Sequence, residues 1–382
     1  MRAFFRKLGQ IGWSFPIILI LVALCVAGIF VIMSATYTNE NSRDFPTKQL
    51  YYVLAGFAVY LGLALTPYHW LVRISPILYL IAIALLAGVF VFKPSHGAQS
   101  WIRLGGLSFE PAEFAKLAFI LGLAWFLRVR ENHVREITTV LLAMVFMVIP
   151  FLLIKKQPAL GSAGVFIPVC FAMLFTAGAR VHHLLLVVLL GAVGLGGYYS
   201  LSAKAGQSSN VSGVHTFQVD RIKSWIDPTA DKQGAAWQIN QSMIAIGSGG
   251  YYGKGWMQGT QNVLGYLPRN TSYNDLIFSV VGEEEGFLGG ALLITLEGLV
   301  LLWCLWVAAR ARDKVGALVA VGVMAMLFTH IFVNIGMTIQ VVPITGIPLP
   351  FISYGGTFLI ACLAAMGLVQ SVWVHRIKFT RT

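Results

Sequence analysis

Asp275 is the residue with the most chemistry open to it. It follows Asn270-Thr271-Ser272-Tyr273-Asn274, borders an apolar run, and has Glu283, Glu284 and Glu285 further along. An Asp at the start of a helix commonly caps it. A carboxylate partly withdrawn from water instead has a raised pKa and can act as a general base. The sequence leaves both readings open. Glu113 and Lys116, spaced i,i+3 in another apolar run, can meet on one helix face. As a pair they fix packing; alone, the lysine would sit close to an anionic head group. Arg103, two residues after the boundary residue Trp101, offers a guanidinium fork that suits phosphate. Lys155 and Lys156 precede Gln157-Pro158 at a helix end, where solvation or an anionic ligand accounts for them.

Other features carry less. The run Ile246-Gly247-Ser248-Gly249-Gly250-Tyr251-Tyr252-Gly253-Lys254-Gly255 matches neither a dinucleotide fingerprint nor a phosphate loop. It reads as flexible backbone at a membrane surface. The eight histidines are scattered, and the adjacent His182 and His183 point different ways on a helix, so none is assigned a ligand role. Cys25, Cys170, Cys304 and Cys362 lie in apolar runs with no CxxC spacing, which indicates neither a disulfide framework nor a metal site.

The elements that must position these residues are set by composition. Of 382 residues, 57% are hydrophobic and 11% charged, against roughly a quarter charged in a soluble domain. Mean hydropathy is +0.77. So much apolar surface needs lipid as its solvent, and the fold class expected is an all-α polytopic membrane protein. Runs near 13–35, 49–66, 71–93, 112–128, 137–154, 161–178, 182–200, 276–308, 315–338 and 350–374 give about ten spans. The first run follows Arg2, Arg6 and Lys7 but lacks a clear cleavage site, so it reads as an uncleaved helix.

The net charge of +12 comes from basic residues gathered at the ends of apolar runs, which sets membrane orientation and excludes a nucleic-acid patch as partner surface. Arg2, Arg6, Lys7, Arg128, Arg130, Arg135, Arg310, Arg312, Lys314 and Arg376 fall on one side, predicted cytoplasmic, together with both termini. Residues 201–275 form a long loop on the other side, rich in Gly, Ser, Asn and Gln. Trp225, Trp237, Tyr251, Trp256 and Tyr266 argue for ordered, short or re-entrant helices in it.

Several stretches in order resemble one family over nearly the whole chain. They are Gly97-Ala98 with Trp101-Ile102-Arg103-Leu104-Gly105, then Glu110-Pro111-Ala112-Glu113-Phe114-Ala115-Lys116, and Gln157-Pro158-Ala159-Leu160-Gly161. Next come Trp237-Gln238-Ile239-Asn240-Gln241-Ser242 with the glycine run, and Asn274-Asp275-Leu276-Ile277-Phe278 with Glu283-Glu284. Val333-Asn334-Ile335-Gly336-Met337 and Pro348-Leu349-Pro350-Phe351-Ile352-Ser353-Tyr354-Gly355-Gly356 complete the set. The chain resembles the SEDS proteins of shape, elongation, division and sporulation, nearest the RodA branch.

That resemblance implies a single membrane domain over 1–382 with a large extracytoplasmic loop at 201–275. It implies a peptidoglycan glycosyltransferase that polymerises lipid II at the outer face of the bacterial cytoplasmic (inner) membrane, in cell-wall biogenesis and cell shape. The implied partners are a class B penicillin-binding transpeptidase and other elongation-complex membrane proteins. Asp275 matches an essential family Asp, and Trp101 an important Trp. Where the family usually carries Asp, this chain has Ala159, and Glu110-Pro111-Ala112-Glu113 stands for Gln-Pro-Ser-Glu.

The expected site therefore has Asp275 as base, with Trp101, Arg103, Lys156, Gln157, Arg221, Gln241, Ser242 and Lys254 as substrate contacts. Glu113, Lys116, Glu283, Glu284, Asn334 and Ser353 are its intramembrane polar supports. A divalent cation, Mg or Mn, can share the neutralisation of a diphosphate, and no organic cofactor is expected. The alternatives are a lipid II flippase and a non-catalytic scaffold that activates the transpeptidase.

Overall fold

The computed structural model describes residues 15–91, 100–104, 107–157, 159–205, 221, 225, 234–268 and 271–376. In chain order its helices are α1 Phe15–Thr36, α2 Phe45–Leu65, α3 Tyr68–Gly88, α4 Pro111–Val129, α5 Ile137–Lys156, α6 Leu160–Gly164, α7 Phe166–Ala177 and α8 Val181–Ala205. They continue with α9 Ala235–Gly249, α10 Thr260–Val263, α11 Ile277–Glu284, α12 Gly286–Ala309, α13 Lys314–Thr338 and α14 Gly356–Val374. An antiparallel hairpin, β1 Ile102–Leu104 with β2 Leu107–Phe109, pairs Arg103 opposite Ser108 just before α4. The sequence did not announce that hairpin.

Among the described residues, eight helical stretches are long and apolar enough to cross a membrane. Two further long helices are α4, with 19 residues and charges near both ends, and α8, with 25. Helices suit lipid because every backbone polar group finds its partner inside the segment. Outward faces confirm the solvent. On α1 the large exposed residues are Phe15, Leu19, Val22, Val26 and Phe30, an apolar stripe at helical spacing. Ile17, Leu21, Leu24, Cys25 and Ile32 face inward and are just as apolar. A helix hydrophobic all round belongs in a bilayer.

The centre is built from α13 and α14, and α14 is almost wholly buried. Lipid gives apolar surfaces no reason to leave it, so close packing of small residues must hold helices together. Gly367 of α14 shows this. A Cβ there would lie 2.8 Å from the Tyr60 carbonyl oxygen of α2.

The apolar run expected at 276–308 is two helices. The chain breaks at Gly286, which takes φ +64, and Phe287 and Leu288 then donate to the carbonyls of Gly250 and Tyr251. Lys254 and Gly255 donate back to the carbonyls of Glu283 and Glu284. The glycine run is therefore a tight backbone splice against the α11–α12 break rather than flexible surface. A Cβ on Gly253, at φ +80, would lie 2.0 Å from the Glu284 oxygen. Gly253→Ala is expected to destabilise the protein by about 1–3 kcal/mol through the left-handed backbone alone, with the clash added. Thermal unfolding in detergent measures it; an unchanged midpoint would mean the splice is loose.

The last span also starts later than 350. Pro350 to Gly355 belong to a non-helical connection from α13, rich in Pro and Gly. Such backbone is tolerated at membrane depth only where protein surrounds it.

Candidate functional site

Two irregular segments meet to make the site, residues 271–276 and the 339–355 connection. Asn334, one turn before the end of α13, is fully buried and donates from Nδ2 to the carbonyl oxygens of Asp275 (2.9 Å) and Ile347 (2.7 Å). Ser353 Oγ donates to the Asn274 carbonyl (2.6 Å) and accepts from the Leu349 N–H (2.8 Å). Tyr354 N–H donates to the Tyr273 carbonyl, and Gln49 of α2 donates to the Ser353 carbonyl (3.1 Å). The backbone on both sides of Asp275 is thus clamped while its side chain is left out of the clamp. Asp275 does not open a helix: α11 begins at Ile277, and the cap position is Leu276. The capping alternative falls away.

The carboxylate sits against Gly346, where a Cβ would come within 3.4 Å of Oδ2. Its Oδ1 is buried with no hydrogen-bond partner among the described residues. Burial pushes the Asp275 pKa up to about 6, opposed by the positive charge of Arg221. Trp225, four residues after Arg221, donates from Nε1 to the Gln340 carbonyl (3.0 Å), tying that part of the chain to the start of the same connection. Glu110, the residue before α4, belongs to this electrostatic neighbourhood. Burial first, then Glu113, drives its pKa up to about 8; Lys116 opposes this and Asp275 adds to it. Two carboxyls whose environments push them apart around neutrality are the arrangement from which acid and base roles are drawn.

A second network supports the first from inside the bundle. Lys116 Nζ lies 2.8 Å from Glu113 Oε1 and 2.9 Å from His330 Nε2, all three buried. An ammonium only donates, so Nε2 accepts and the ring proton resides on Nδ1. Nδ1 faces the Pro348 carbonyl at 3.2 Å. His330 and Asn334 are one turn apart on α13 and hold the consecutive carbonyls of Pro348 and Ile347. The ion pair read from the sequence is present, and it reaches the Asp275 wall through a histidine given no role there. The i,i+4 spacing of two polar residues in an apolar helix was the available signal.

The remaining expected contacts divide. Glu283, fully buried, pairs with Lys254 (2.6 Å) and accepts from the Gln261 N–H (2.8 Å). Glu284 accepts from Ser34 Oγ of α1 (2.5 Å). Lys254 is thereby committed to Glu283 and to Thr260 (2.6 Å). Ser242 is buried against Ser279 (2.6 Å) and the Thr338 carbonyl (2.8 Å), locking α9 to α11 and α13. Gln157 is buried and donates from Nε2 to the Leu86 carbonyl (2.8 Å), bracing the helix end, while its Oε1 is buried with no hydrogen-bond partner among the described residues. Lys156 is exposed at the end of α5, and Trp101 and Gln241 are half-buried. Arg103 is placed in β1, with its side chain outside the described residues. No three His, Cys, Asp or Glu side chains converge as a cation site among the described residues.

The model of the FtsW, RodA and SpoVE cell cycle proteins matches residues 15–378. The chain belongs to this SEDS family. Peptidoglycan glycosyltransferase MrdB of Escherichia coli K12 is 36% identical to this SEDS protein over 360 residues, covering 94% of the chain and 93% of the relative. Stage V sporulation protein E of Bacillus subtilis is 33% identical, over 93% and 95%. Among solved structures, a chain from a peptidoglycan synthase complex coordinating polymerization and crosslinking superposes with a TM-score of 0.79 at 27% identity, covering 96% and 98%. The rod shape determining protein RodA of Thermus thermophilus gives 0.66 at 26%, with the same coverage. The SEDS fold thus brings Asp275, Arg221 and Glu110 into one electrostatic neighbourhood, with Gly346 against the carboxylate.

Proposed function

We propose that this multi-pass membrane protein is a peptidoglycan glycosyltransferase that polymerises lipid II, and that Asp275 is its general base. The observation carrying the reading is a carboxylate with one oxygen buried and unpaired, beside Arg221, on a backbone clamped by Asn334 and Ser353. The acceptor sugar's 4-hydroxyl attacks the donor's anomeric carbon as its proton passes to Asp275; the carbon–oxygen bond to the polyprenyl diphosphate breaks, and that group leaves with the bonding pair. Arg221, whose charge already acts on Asp275, is proposed to stabilise the leaving diphosphate, and Arg103 and Lys156 to join it. Glu110, protonated near neutrality, donates a hydrogen bond to the same oxygens. A Mg or Mn ion, if it takes part, would be held by the diphosphate with Asp275 as the carboxylate of this site, and would supply positive charge to the leaving group. No step is assigned to it.

The site is proposed to face outward from the cytoplasmic membrane, with both termini inside, as the basic residues require. The similarity to a chain of a synthase complex supports a class B penicillin-binding protein as partner, with other elongation proteins around it. Polymerisation of lipid II by the purified chain, alone and with its cognate transpeptidase, tests the reading. Glycan on a gel supports it; none in either arm would overturn it.

The two carboxyls predict a pH profile. A base works deprotonated, so the rate falls as pH drops through about 6, tenfold per unit below it. A donor works protonated, so the rate also falls as pH rises through about 8. Glu110→Gln keeps a neutral donor and is expected to remove only the alkaline limb. Retention of that limb in the variant would take Glu110 out of the mechanism.

A further inference from the structure

The ends of α12 and α14 carry a feature that the polymerase reading does not use. Trp303, Trp306 and Trp373 form a continuous aromatic platform, with ring centroids 5.0, 4.4 and 5.5 Å apart. Arg310 stacks its guanidinium on Trp306 at 4.2 Å, and Arg376 stacks on Trp373. Both tryptophans lie within a turn of their helix ends, the depth of the lipid head groups.

Two guanidiniums on one platform repel each other, and cation–π contact at exposed sites is too weak to hold them together by itself. Among the described residues no carboxylate pairs with either of them. Arg376 Nη1 and the Trp373 indole nitrogen are buried with no hydrogen-bond partner among the described residues. The carboxylates of this face are engaged elsewhere: Glu131 with Lys314, Glu136 with His133, and Asp313 with His69 and Tyr68. Residues 1–14 and 377–382 contain no Asp or Glu. Below the platform, Leu299, Leu302 and Leu305 form an exposed apolar stripe down α12, which acyl chains would cover.

We propose that Arg310 and Arg376, seated on the Trp303–Trp306–Trp373 platform, form a binding site for the phosphate of an anionic phospholipid whose acyl chains lie along the outer face of α12. Planar guanidiniums suit a phosphodiester, accepting it bidentately where a lysine offers a point charge. One phosphate between them removes the repulsion and partners the buried Nη1.

The test uses the full chain in neutral detergent, with tryptophan fluorescence quenched by phosphatidylglycerol brominated near its carbonyls. The same brominated chains on phosphatidylcholine are the control. Saturable quenching is expected at a phosphatidylglycerol mole fraction at least tenfold below that of phosphatidylcholine. Arg310→Gln with Arg376→Gln is expected to abolish the preference, and Arg128→Gln with Arg130→Gln to retain it. Arg376→Lys, which keeps the charge and guards against a folding defect, is expected to weaken it severalfold. Equal preference in the doubly substituted platform, or its loss in the Arg128/Arg130 control, would overturn the site. Displacement of the lipid by millimolar inorganic phosphate would replace the lipid with a free-phosphate ligand and overturn the occupant proposed.

Discussion

Asp275→Asn is expected to lower lipid II polymerisation by about 10²–10⁴-fold, the usual range for removal of a positioned general base. The substitution is nearly isosteric, and the local backbone is held by Asn334 and Ser353 through main-chain carbonyls, so the segment keeps its shape. Substrate binding is expected to change little, so the loss appears in kcat rather than KM. Stability should move the other way. The folded-state pKa is raised to about 6, so the fold disfavours the ionised carboxylate, and its cost is absent below the unfolded pKa and present above about 6. Asparagine removes that cost at pH 7, and the unfolding midpoint is expected to be equal or higher. A variant losing activity and stability together would point to a structural aspartate; one that retains the rate would require another base.

Lys116→Met is expected to be the most destabilising single change in the bundle. It strips Glu113 of its ion-pair partner at 2.8 Å and His330 of its donor at 2.9 Å. Removing one member of a buried pair costs about 3–5 kcal/mol, because the other charge remains desolvated and unpaired. Thermal unfolding in detergent reads the loss. The double variant Glu113→Leu with Lys116→Met is expected to recover most of it, since no charge is then stranded. Additive losses would mean the pair is not coupled. Through His330 the pair touches the Pro348 carbonyl, so the single variant is also expected to loosen the wall beside Asp275.

How much of this was legible in the chain depends on distance along it. The membrane class, the helical fold and most span positions followed from the length of apolar runs, since lipid rewards apolar side chains whatever their neighbours. The i,i+3 pairing of Glu113 with Lys116 was legible because both partners lie on one helix. Asp275 stood out because a carboxylate beside an apolar run demands an explanation.

The tertiary structure decided what depended on partners far apart. Gly286 breaks the 276–308 run where Gly253, some thirty residues earlier, packs its backbone against it. Lys254, a candidate diphosphate contact by charge alone, is taken up by Glu283. Glu110 gains its raised pKa, and Asp275 its neighbours, only when the segment before α4, the 271–276 turn and the 339–355 connection fold together. Periodicity records what one helix faces; it does not record which distant carbonyl, charge or glycine will meet it, and desolvation at this site is the sum of those meetings.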